Sequence, residues 1–239
     1  MNELEIVNTI KSLQKESQKY KDGGRLFIKN LARKVLNISN AQKKYIVRFF
    51  IKEIRFNKYD LGGVSLATLE EMNASEIAYN IFQIYNDISE EKNEEWKRNI
   101  IESLLKLQYK APKQFYYDYI TEYTKKDSSG YAYYLLVLYC NVDAEMALPL
   151  LSEFYTKNFD ASNDIKGFIE NRISFLIGYF FKNSKDYFPR LIELVSLKNK
   201  NAGQHLKKVL LAYFNSDCAR KYPNILIEKE KKALQALEI

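Results

Sequence analysis

The strongest constraint on this chain is a helical hairpin written almost twice between Asp143 and Asn215. Asp143–Tyr155 reads as one helix and Asn171–Asn183 as its partner, and Lys185–Val195 followed by Gln204–Asn215 restates the pair. A helix pair of this kind cannot bury its apolar face alone, so it has to stack on copies of itself. The expected class is all-α, a right-handed α-solenoid of antiparallel helix pairs, filling residues 1–239 as a single domain.

The spacing agrees with stacked pairs. Pro149, Pro189 and Pro223 are 40 and 34 residues apart, and Asn141, Asn183 and Asn215 are 42 and 32 apart. HEAT and armadillo units run to about 40 to 47 residues, so the expected form is a HEAT-like or armadillo superhelix. Residues 74–109 and 113–141 continue the pairs toward the N-terminus, and the charged helix from Pro223 to Leu237 caps the stack. Each proline is expected in the first turn of its helix, because deeper placement removes a ladder hydrogen bond at a cost of roughly 3 kcal/mol.

Residues 1–60 form a basic N-terminal part ahead of the pairs at 74–239. They hold 14 Lys/Arg against 6 Asp/Glu, whereas residues 61–239 hold 23 against 24. The surplus falls into rows at helical spacing. Glu3–Tyr20 turns Leu4, Val7, Ile10 and Leu13 inward, and Arg25–Leu36 turns Lys29 and Arg33 outward. A third helix starts at Ser39, which can form a capping box with Gln42. Its core stripe is Ile46, Phe50 and Ile54; its far side carries Lys44, Arg48, Lys52 and Arg55, flanked by Tyr45, Phe49 and Phe56. Such a row spans roughly 16 Å and meets several phosphates, each contact releasing condensed counterions. Further along, Tyr59–Val64 reads as a loop, Asn73 and Glu76 as a capping box before a helix Ala74–Tyr85, and Ser89 as the start of a helix to Tyr109.

Inventory removes most reaction classes. His205 is the only histidine, which excludes HExxH zinc sites, and no G-x-S-x-G or phosphate-loop motif occurs. Trp96 is in phase with Ile100 and Leu104 and reads as packing. Cys140 and Cys218 stand alone, so neither a disulfide scaffold nor a cysteine-rich metal site is expected, and a reducing cytoplasm is the expected setting. No stretch reaches the 18 apolar residues of a membrane helix; no membrane association and no cofactor are expected, and the chain is expected to act as a monomer.

The order of helices resembles the AlkD family, bacterial HEAT-like DNA alkylation repair glycosylases. Leu36–Lys44 resembles the family's turn into a basic third helix. Phe168–Ile177 resembles a later concave helix, with Phe175 at a family aromatic position. The family's catalytic motif, a Trp followed four residues later by an Asp, is replaced here by Tyr109 and Lys113; Asp118 is out of register, and Tyr134 stands where the family tends to have an Arg. The resemblance implies the scaffold and DNA affinity without the glycosylase step.

The functional expectation is a non-catalytic solenoid that binds nucleic acid through Lys29, Arg33, Lys44, Arg48, Lys52 and Arg55, with Arg172 and Lys208 adding contacts from the concave face. Tyr109, Tyr133 and Tyr134 are candidates for stacking or partner contact. The alternatives are an interaction solenoid that grips an acidic protein, as a bacterial immunity or adaptor protein would, and a divergent base-repair glycosylase.

Overall fold

The computed structural model describes residues 2–20, 22–56, 61–88, 94–126, 130–159, 174, 176–178, 180 and 186–239, and among them there is no strand. The chain divides into two compact units, Met1–Tyr109 and Lys110–Ile239.

The first unit contains α1 (Glu3–Ser17), α2 (Gly23–Leu36), α3 (Asn40–Phe56), α4 (Gly62–Glu71), α5 (Ala78–Asp87) and α6 (Glu94–Lys106). Sequence neighbours pack as hairpins, α1 on α2, α3 on α4 and α5 on α6, while α2 packs on α4, α4 on α6 and α3 on α5. Second members thus meet along the unit, α2 with α4 and α4 with α6, and among first members α3 meets α5. The inner faces follow the 3.6-residue period: Phe27, Leu31 and Val35 on α2, Ile46, Phe50 and Ile54 on α3, and Ile100 and Leu104 on α6 are all buried.

Trp96 ties α6 to α3 by more than its ring. Its indole N–H donates to the Ile54 carbonyl at 3.3 Å, one of the last four carbonyls of α3, which have no partner within their own helix. Trp96→Phe keeps most of the ring and orphans that carbonyl, so a loss of about 1 kcal/mol in urea denaturation is expected. An unchanged midpoint would show that water replaces the indole.

Several sequence expectations are corrected in this unit. Leu4 is 67% exposed, and Ile6 takes the core position instead. Gly62–Val64, expected as loop, opens α4, which burial of Ser65, Leu66, Thr68 and Leu69 holds in place. Asn73 does not cap the next helix. It adopts φ 51° and closes α4: its N–H bonds the Glu70 carbonyl and the Ala74 N–H bonds that of Leu69, a left-handed cap. A 3-10 turn at Ser75–Ile77 then leads into α5. Gln108, φ 56°, closes α6 by the same pattern.

The second unit contains α7 (Lys113–Lys126), α8 (Gly130–Val142), α9 (Ala144–Asn158), α10 (Tyr187–Ser196), α11 (Lys200–Phe214) and α12 (Asn224–Ala236). Here α8 and α9, α10 and α11, and α11 and α12 are packed neighbours, and α7 with α9, α9 with α10 and α10 with α12 also meet. Asp143 and Asn199 accept backbone N–H groups from Met146 and Ala202, capping α9 and α11. A side chain at Gly203 would press on Ser196, so the glycine lets α11 approach α10 closely. Pro189 and Pro223 stand in the first turn and at the N-cap of their helices. Pro149 lies within α9 beyond the first turn, where it removes one ladder bond.

Candidate functional site

Helix α3 presents two faces with different chemistry. Ser39 starts it: the Gln42 N–H donates to Ser39 Oγ at 3.4 Å, and the Ser39 hydroxyl donates to the Gln42 side chain at 3.1 Å. Ile46, Phe49, Phe50 and Ile54 point inward. Phe49 therefore belongs to the core and not, as expected, beside the basic row, where Tyr45 and Phe56 are indeed exposed.

On the outer face the basic row is divided. Lys52 Nζ lies 2.7 Å from Glu3 of α1, and Arg55 lies 3.1 Å from Asp87 at the end of α5. These pairs are solvent-exposed and weak, but they neutralise half of the row in the free protein. Lys44 and Arg48 instead border an open cleft of about 600 Å³ between α3 and the start of α5, lined also by Asn40, Lys43, Val47, Ile51, Glu76, Ile77 and Asn80. Val47, Ile51 and Ile77 form a half-buried floor, while Lys44, Arg48, Glu76 and Asn80 are exposed around it. Three cations stand against one carboxylate, and among the described residues no ion pair engages Lys43, Lys44 or Arg48. The positive end of the α3 dipole, at Asn40, adds to the same field.

Lys43, Asn40 and Asn80 were not singled out from the sequence. Lys43 shares a row with Val47 and Ile51, four residues apart, a signal that periodicity carries. Nothing local could join Glu76, Ile77 and Asn80 to α3, because only packing does so.

The α2 row sits elsewhere. Arg25 lines a separate cleft of about 420 Å³ with Gly24, Ile28, Ala67, Glu70, Glu71 and Lys106, where carboxylates match the cations. Lys106 Nζ is 3.0 Å from Glu70 and 2.6 Å from Glu102. Lys29, half-buried, and Arg33, exposed, line neither cleft. The geometry thus brings Lys44 and Arg48 together and leaves Lys29, Arg33, Lys52 and Arg55 apart from them. Lys208 is exposed on α11 of the second unit, and Arg172, like Phe175, lies outside the described residues.

The three tyrosines differ. Tyr109 is half-buried with its ring 5.4 Å from Phe82, and burial together with neighbouring Tyr79 holds its hydroxyl pKa above the usual value. Tyr133 is only 3% exposed, its ring 6.4 Å from Phe154, and burial pushes its pKa up strongly. It is a core side chain with no face to offer a partner, a correction to the sequence reading. Tyr134 remains half-exposed beside Tyr131, centroids 6.1 Å apart.

Two groups capable of nucleophilic or acid–base chemistry, Cys140 and His205, are tied into structure, while the Cys218 thiol is exposed. Burial pushes the Cys140 thiol far up, so the reactive thiolate is not formed near neutrality. His205 Nδ1 shares a hydrogen bond with the Tyr155 hydroxyl, and its ring packs on Phe159 at 5.3 Å. Among the described residues no three His, Cys, Asp or Glu side chains come together as metal ligands, and no helix is long and apolar enough to cross a membrane.

No protein-family model, curated protein or solved structure matches the chain. The functional reading therefore stands on the geometry of the cleft.

Proposed function

We propose that this chain is a non-catalytic, HEAT-like α-solenoid, a right-handed superhelix working as a cytoplasmic monomer, that binds nucleic acid through the cleft between α3 and α5. The observation that carries the reading is the trio Lys43, Lys44 and Arg48 gathered around one cleft, with no ion pair to them among the described residues. Contacts of second members with second members, and of α3 with α5, in the first unit support the repeat architecture. Phosphates that replace water at these cations release counterions, so affinity should fall steeply with salt. Lys52 and Arg55 would join once a phosphate competes for them with Glu3 and Asp87.

The test is binding of a labelled DNA across salt concentrations, with Lys44→Glu/Arg48→Glu as the control. The double variant should bind at least about tenfold more weakly, with its denaturation midpoint unchanged because both residues are exposed. Absence of a salt slope in the unaltered protein would sink the reading.

The apolar floor of Val47, Ile51 and Ile77 favours a second reading, in which the cleft holds an acidic protein segment by its aliphatic side chains. A partner recovered by pull-down that survives nuclease treatment would establish it. The divergent base-repair glycosylase rests on the AlkD resemblance; failure to release alkylated bases in vitro would remove it.

A further inference from the structure

We infer that the α3–α5 cleft selects single-stranded nucleic acid over duplex, an inference that rests on the nucleic-acid reading above. The argument starts from the floor. Val47, Ile51 and Ile77 lie half-buried at its base, with the cations Lys43, Lys44 and Arg48 around them.

A duplex presents phosphates and sugars outward and keeps its bases stacked inside. Pressing that surface on three aliphatic side chains would strip water from phosphates and return no hydrogen bond. A single strand turns the two chemistries apart: phosphates face Lys43, Lys44 and Arg48, and an unstacked base covers the floor. Base edges then reach the Asn40 and Asn80 carboxamides, each carrying both donor and acceptor groups. Glu76 fits the same division, because its carboxylate repels a phosphate but accepts a hydrogen bond from an exocyclic amino group or ring N–H of a base. The flank from Asn40 to Ile51 is about 16 Å long, which limits the contact to a few nucleotides and suits a strand more than a helix-wide footprint.

The tyrosine series Tyr119, Tyr123, Tyr131 and Tyr134 on α7 and α8, which could also stack on a base, belongs to the other unit.

The experiment uses the full chain and a fluorescein-labelled thymidine 12-mer, alone and annealed to its complement, with a labelled polyglutamate peptide as the third probe. The single strand is expected to bind roughly tenfold more tightly than the duplex, the value of hiding a few methyl groups from water. Its log–log salt slope should be about −2, three phosphate contacts at the single-strand coefficient. Val47→Ser should erase the preference for single strand and leave the salt slope intact, whereas Lys44→Glu/Arg48→Glu should flatten the slope for both DNAs. A duplex bound as tightly as the strand overturns this inference while nucleic-acid binding stands. No binding to either DNA at low salt overturns both, and polyglutamate bound in their place assigns the cleft to an acidic protein. Should Val47→Ser fail to fold, Glu76→Gln on the exposed rim decides the matter: relief of a phosphate clash would strengthen duplex more than strand, and equal strengthening of the two would overturn the inference.

Discussion

Phe50→Ala is expected to cost about 3 to 5 kcal/mol and to remove the cleft along with the stability. Phe50 is fully buried on α3, facing a small gap that Ile6 and Ile10 of α1, Leu31 and Val35 of α2 and Ile46 also line. Truncation loses the transfer energy of the ring and leaves a void that three helices cannot close without shifting. Because α3 carries the cleft cations on its opposite face, loss of its inner anchor should also lower nucleic-acid affinity. Urea denaturation followed by helix signal, with binding measured alongside, checks this. The exposed double variant Lys44→Glu/Arg48→Glu should separate the two effects by losing binding at nearly full stability. A Phe50→Ala protein within about 1 kcal/mol of the parent would mean that α1 and α2 relax onto α3.

The second large effect concerns pH. Glu230, on α12, is 5% exposed, and its Oε2 accepts no hydrogen bond from the described residues. Burial first, and neighbouring Asp186 second, push its pKa up to about 7 from an ordinary 4.5, while Lys229 acts in the opposite direction. Lys229 itself is 2.7 Å from Asp186. The fold therefore prefers the protonated acid. Its contribution is fully present below about pH 4.5 and is lost as pH rises toward 7, by on the order of 3 kcal/mol at about 1.4 kcal/mol per pKa unit.

Glu230→Gln mimics the protonated form at every pH. The variant should be more stable than the parent at pH 8 and nearly equal to it at pH 4.5. Glu122, whose pKa Lys126 lowers by a hydrogen bond and by its charge, contributes with the opposite sign in both proteins and cancels in the comparison. Parallel pH profiles for parent and variant would show that the carboxylate of α12 finds water or a partner.

Much of the fold follows from the sequence alone. The core stripes of α2, α3 and α6 follow from spacings of three and four, because a helix buries one face and the period is a property of the backbone. Ser39 caps α3 and Trp96 packs on a neighbouring helix, both as their positions in the sequence indicate, whereas the caps at Asp143 and Asn199 emerge only from the structure. Leu4, Phe49, Asn73 and the glycines before Val64 were misread for one shared reason. Each has a local pattern compatible with two environments, and the choice lies with a helix distant in sequence: Ile6 outcompetes Leu4 for the α1 interface, and burial of Leu66 and Leu69 makes a helix of a glycine-rich start.

The same division runs through the candidate site. Composition and period suffice to make α3 amphipathic, with Lys44 and Arg48 on its outer face. Which of the basic residues act together is set by packing. Glu3 and Asp87 arrive from α1 and α5 to neutralise Lys52 and Arg55, while Glu76, Ile77 and Asn80 arrive to complete a cleft around Lys43, Lys44 and Arg48. Periodicity specifies the direction of a side chain from its own helix, whereas the charge and apolar surface it meets there belong to another helix, placed by packing.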